Sequence, residues 1–172
     1  TSTNSRNRRE AKQGKQSGRT IEIQRLIGRS LRTILDLKIF PSKQFIIDCD
    51  VIEADGGTRT ASITGAYVAL ALAVKKLLKK GILTQNPIKD SISAISCGIV
   101  NGKILVDLDY NEDSRADVDA NFVFTEKGGV SEIQISGEKS TFSFKTMNQM
   151  LKLGLESTKK ISSLQKKIIG KI

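Results

Sequence analysis

Ser91–Val100, SISAISCGIV, and Lys103–Tyr110, KILVDLDY, flank the dipeptide Asn101-Gly102. Asn-Gly accepts positive φ at both central positions of a type I′ turn, whose twist matches that of two antiparallel strands. The pair reads as a β-hairpin. Downstream, DANFVFTEKGGVSEIQIS (119–136) supplies two more strands around Lys127-Gly128-Gly129. Upstream, QFIIDCDVIEAD (44–55) alternates with a period of two. Phe45, Ile47, Cys49 and Val51 fall on one face, with Ile46, Asp48 and Asp50 on the other, so this segment also reads as a strand.

Three helices complete the pattern. IEIQRLIGRSLRTILDL places Ile23, Leu26, Ile27, Ile34 and Leu35 at helical spacing, with Thr20 or Ser17 as N-cap and Phe40-Pro41-Ser42 as the stop. A long helix runs from Ser62 to Lys80, closed by Gly81 with Pro87 beyond. A basic amphipathic helix spans about Phe144 to Ile169. The order helix, strand, helix, four strands, helix predicts an α+β fold: a mostly antiparallel sheet with helices packed against it. At 172 residues the chain is long enough for one domain with a real core.

Composition narrows the chemistry. Histidine is absent, which removes the common zinc sets, Ser-His-Asp and Cys-His chemistry and any imidazole base. Cys49 and Cys97 lie in apolar strand-like runs and read as small buried hydrophobes. The longest nearly uncharged apolar stretch, Ile63–Val74, is too short to span a bilayer. The chain opens TSTNSRNRRE, polar and basic, without the apolar segment of a signal peptide. A cytoplasmic protein without membrane contact is the expectation.

The net charge is +10 and sits at the ends. Residues 1–19 carry six basic side chains against Glu10, and residues 152–172 carry six lysines against Glu156. Residues 1–17 read as a basic arm or loop. Such ends suit a polyanionic partner, RNA or DNA, and equally suit solvated tails.

Two stretches could carry chemistry. In Gly56-Gly57-Thr58-Arg59-Thr60 the glycines allow close backbone approach and the helix that follows offers free N–H groups and its dipole. Arg59 adds a guanidinium fork that fits phosphate. The stretch is either an anion cradle or a turn with an N-cap; it is not a Walker A loop or a dinucleotide fingerprint. DLDYNEDSRADVDAN crowds Asp107, Asp109, Glu112, Asp113, Asp117 and Asp119 around a single Arg115. Either these are solvated surface charges, or carboxylates converge, with Asp117 and Asp119 on one strand face and Asp113 brought alongside by a turn. Converging carboxylates would hold Mg²⁺ through oxygen.

SGRTIEIQRLIGRSLR, IDCDVIEADGGTRTASITGAYVALA, NPIKDSISAISCGIVNG and DLDYNEDSRADVDAN together closely resemble the ribonuclease PH family, over nearly the whole chain. The resemblance implies a ribosomal protein S5 domain 2-like fold and a phosphate-dependent 3′→5′ exoribonuclease that trims tRNA precursors and other RNA 3′ ends, releasing nucleoside diphosphates. It places inorganic phosphate, a co-substrate, on Arg19, Gly57, Thr58 and Arg59. It makes Asp113 and Asp119 the catalytic, Mg²⁺-binding pair and matches the family's RNA-binding segment to Arg6 and Arg9. A homo-hexamer, a trimer of dimers, is also implied. Relative to the family, residues 1–172 look like one domain lacking its N-terminal part. Ala120 stands where the family usually has Met, and Ile135-Ser136-Gly137-Glu138 where a Gly-Thr turn is typical. The competing reading is a non-catalytic RNA-binding subunit of an exosome-like ring, a class that tends to lose the carboxylates or the arginines retained here.

Overall fold

The computed structural model describes residues 16–39 and 44–171. Helix α1 (Gly18–Thr33) starts at Ser17, whose Oγ accepts a hydrogen bond from the Thr20 amide at 3.3 Å. Ser17, of the two candidates, is therefore the cap. The helix stops at Thr33 because an extended pairing wins over another turn: Asp36 N–H donates to Pro87 O and Lys89 N–H to Ile34 O, both at 2.8 Å. A short 3₁₀ turn, Leu37–Ile39, follows. The expected stop at Phe40-Pro41-Ser42 lies outside the described residues.

Helix α2 (Thr58–Lys79) begins four residues before the expected Ser62. Its buried residues, Thr60, Ile63, Ala66, Tyr67, Leu70, Ala71 and Val74, recur every three or four positions and face the core. By length and hydropathy the 22-residue helix could cross a membrane, contrary to the expectation drawn from Ile63–Val74. Here that apolar stripe is spent inside the protein. Gly81, at φ 68°, closes the helix: its N–H reaches Leu78 O and that of Ile82 reaches Leu77 O, both at 3.0 Å, a Schellman ending.

The hairpin is formed as expected. Strand β1 (Ile92–Val100) turns at Asn101 (φ 51°) and Gly102 (φ 73°) into β2 (Lys103–Val106), with Val100 opposite Lys103. Strands β3 (Val118–Thr125) and β4 (Val130–Gly137) also match expectation, and the antiparallel order is β2-β1-β3-β4. Between the hairpin and β3 lies a helix not anticipated, α3 (Tyr110–Arg115). Asp109 caps it through a reciprocal capping box with Glu112, a D-x-x-E signal present in the sequence.

Helix α4 (Phe144–Ile169), capped by Ser143, covers the sheet from the other side. Central strands β1 and β3 are thus buried on both faces. On one face Ile92, Ala94 and Val123 pack with α1 and α2 residues such as Leu26, Ile63 and Leu70. On the other, Ile95, Cys97, Ala120 and Phe122 pack with Met150. Ala120, with no exposed surface, is an ordinary member of this core. Gly154 lets α4 close on the sheet, since a Cβ there would lie 2.7 Å from the Phe122 ring.

The segment 44–55 departs most from expectation. Phe45, Ile47 and Cys49 are half-buried against the core and Ile46, Asp48 and Asp50 exposed, so the two-residue alternation is present. The segment nevertheless takes no place in the four-stranded sheet. Alternation reports an extended chain with one side covered, whichever segment lies beside it.

Candidate active site

Gly57 sits at φ 66° as the N-cap of α2, and having no side chain it caps nothing. The first intrahelical bond here is Ala61 N–H to Gly57 O at 3.0 Å, so the amides of Thr58, Arg59 and Thr60 precede the helical ladder. The other described helices spend a Ser or Asp side chain on this position: Ser17, Asp109 and Ser143. An uncapped start on a 22-residue helix concentrates donors and positive potential where an anion can reach them. Beneath it lies Ser96, 2% exposed, whose Oγ would be 3.0 Å from a Cβ on Gly57 and has no hydrogen-bond partner.

Two contacts bring the acidic segment to this cradle. A Cβ on Gly56 would sit 1.9 Å from Leu108 O, so only glycine lets the two backbones approach this closely. Asp55 Oδ1 accepts from Tyr110 N–H at 2.6 Å, in the first turn of α3. The glycine stretch therefore anchors the helix that carries Asp113. Asp119 lies on β3 opposite Gly98 of β1, on the sheet face below α2.

The electrostatics tie the pieces together. Burial raises the Asp119 carboxyl above the ordinary range; the like charge of Asp113, and more weakly Glu138, adds to this, and Arg59 opposes it. Asp119 thus senses both Asp113 and Arg59. Arg59, 23% exposed in its side chain, also lies 3.8 Å from Glu22 Oε1 on α1. Gln134 of β4 donates to that same Glu22 oxygen at 3.0 Å. Arg19 is exposed in the first turn of α1, three residues before Glu22 and so on its side of the helix. A groove of about 540 Å³ opens beside Thr58, between the 47–56 segment and α2.

Gly57, Thr58, Arg59, Asp113 and Asp119 come together, and Arg19 starts the helix that abuts them. Asp117 precedes β3 and spends its backbone on Ile99 and on the turn after β4. Arg6 and Arg9 lie outside the described residues. Sequence reasoning missed Glu22, Ser96 and Gln134. The period of two along β1 could have placed Ser96 on the α2 face; nothing local marks Glu22 or Gln134, which arrive from distant elements. Among the described residues no three metal-capable side chains cluster. A repelling carboxylate pair nevertheless suits Mg²⁺, which commonly takes one or two carboxylates and completes its shell with phosphates and water.

Two family models match the chain: the 3′ exoribonuclease family, domain 1, over residues 1–76, and its domain 2 over residues 90–157. The chain belongs to this family. Ribonuclease PH of Caulobacter vibrioides (strain NA1000 / CB15N) is 52% identical over 168 residues, 98% of this chain and 71% of that protein. Solved structures with the same fold include rice (Oryza sativa) Rrp46, with TM-score 0.73 and 22% identity, covering 92% of this chain and 69% of that one. An archaeal exosome core has TM-score 0.66 and 21% identity, covering 87% and 63%.

Proposed function

We propose that this chain catalyses phosphate-dependent 3′→5′ removal of nucleotides from RNA. The observation that carries the reading is the uncapped α2 start, with Arg59, held against Asp113 and Asp119. Inorganic phosphate binds over the Gly57, Thr58 and Arg59 backbone, with the Arg59 fork and Arg19 balancing its charge. Ionised phosphate is already a nucleophile, so the missing histidine is no obstacle. One of its oxygens attacks the phosphorus of the last phosphodiester, the bond to the preceding 3′-oxygen breaks, and a nucleoside diphosphate leaves. Arg59 holds the attacking phosphate in line, and the groove beside Thr58 gives the terminal nucleotide room. Mg²⁺ held by Asp113 and Asp119 would supply charge stabilisation for the phosphoryl group in flight.

Precursor tRNAs as substrates, engagement of RNA by Arg6 and Arg9, and assembly into a hexameric ring extend the reading. They are supported by the resemblance and by the 52% identity to ribonuclease PH. The non-catalytic alternative leaves the Arg59 and carboxylate arrangement without a use.

The test is incubation with a 3′-extended RNA and Mg²⁺, with and without phosphate. Nucleoside diphosphates should form only with phosphate. Arg59→Ala should lower phosphorolysis by at least about a hundredfold, the usual cost of losing a preorganised charge-stabilising donor. Phosphate-independent cleavage, or an Arg59→Ala variant of undiminished rate, would remove the mechanism.

A further inference from the structure

The long helix α4 carries six lysines against one glutamate, Glu156, and the reading above makes no use of them. Lys145, Lys152, Lys159 and Lys166 recur every seven residues. At 3.6 residues per turn and 1.5 Å per residue, they form a nearly straight row about 31 Å long with roughly 10 Å steps. Lys160 and Lys167 flank that row. All six are exposed. Lys166 pairs with Glu126; Lys152, Lys159, Lys160 and Lys167 make no ion pair among the described residues, even with Glu156 on their own face.

Charges of both signs would alternate were this an ordinary solvated face; here six lysines stand against Glu156 alone on the helix. Most of the helix packs on the sheet face opposite α1 and α2. Only its C-terminal end meets α2, where Gln165 and Ile169 reach the middle and far end of that helix rather than the phosphate cradle. We propose that this face of α4 docks the phosphate backbone of the RNA body while the 3′ end occupies the active site. RNA fits better than a lipid surface. The apolar side of α4, including Met150 and Gly154, is already buried in the protein. The exposed Leu153, Leu164 and Ile168 lie about 110–170° round the helix from the centre of the row, beyond the flanking Lys160 and Lys167. A polyanion with regularly spaced charges meets the lysines without further burial, and each phosphate neutralised releases counterions.

The inference rests on RNA being the substrate, and its test separates the two claims by reading binding without turnover. A 3′-phosphate-blocked RNA hairpin is titrated by fluorescence anisotropy, without phosphate, over a range of salt. Against the wild-type chain, the variant Lys152→Gln, Lys159→Gln, Lys160→Gln, Lys167→Gln should lower the slope of log affinity against log salt by about 3. A control variant, Lys38→Gln, Lys89→Gln, Lys103→Gln, Lys127→Gln, carries the same charge change elsewhere and should lower it by less than about 1. Phosphorolysis of a short single-stranded oligonucleotide, which reaches only the active site, should be unchanged in the α4 variant. An unchanged slope overturns the proposal, as does equal loss in the control or a variant that keeps RNA but loses anionic vesicles or self-association. Wild-type binding through α4 without diphosphate release would leave the docking surface standing and remove the activity.

Discussion

Asp119 shows how a single residue is held at a cost. Its raised carboxyl pKa, from burial first and Asp113 second, means that the folded protein binds this proton more tightly than the unfolded chain. Stability contributed by this group therefore falls as pH rises from the unfolded pKa through the folded one. Asp119→Asn removes a desolvated charge, so the metal-free protein should melt at a higher temperature at neutral pH. That gain should shrink as the pH drops to where the wild-type carboxyl is protonated. Phosphorolysis should fall in the same variant, because the second carboxylate for Mg²⁺ is lost. Melting curves of both proteins over pH check the first half; a variant less stable at neutral pH would show that Asp119 is a structural partner. By contrast Cys97, pushed up to about 12 by burial, stays a neutral thiol and part of the core.

Among the elements, the link between α2 and α3 depends on a residue with no side chain. Gly56→Ala would drive a Cβ into the Leu108 carbonyl, and backbone on both sides leaves no flexible group to yield. The acidic helix must move off the cradle. Displacement by an ångström in a reacting assembly costs about a hundredfold, so kcat/KM should drop by that order while far-ultraviolet circular dichroism stays native. A fully active variant would show that α3 is not positioned through this contact. Elements were legible in the sequence where their determinants are local. Asn101-Gly102 specifies its turn, and the amphipathic period alone bounds α4, whose ends the structure caps with Ser143 and Gly170. The start of α2 was misplaced because a left-handed glycine cap leaves no side-chain signature. Segment 44–55 keeps its two-residue alternation yet joins none of the four sheet strands, because periodicity reports which side is covered and not which segment lies alongside. The site divides the same way. Gly57, Arg59 and the acidic cluster stand out by composition, and the resemblance singled out Asp113 and Asp119 within it, while Glu22 and Gln134 enter through tertiary packing alone.

For the molecule as a whole, two apolar cores share one sheet. Leu70 belongs to the α1–α2 side and Met150 to the α4 side, and both are almost completely buried. Strands β1 and β3 lend alternate residues to each side, so neither core can dissolve while the other keeps its strands in place. Unfolding should then be one cooperative event, as for most single domains of this size. Leu70→Ala and Met150→Ala should each cost about 2–5 kcal/mol and each shift the same calorimetric transition downward. Inorganic phosphate, bound at the start of α2, should raise that transition in the Met150→Ala variant as much as in the wild-type chain, since a ligand of the native state stabilises every part that unfolds with it. Calorimetry of both variants with and without phosphate decides the matter. A second transition in Met150→Ala that ignores phosphate would mean that the α4 face melts alone, and that the active-site face folds without it.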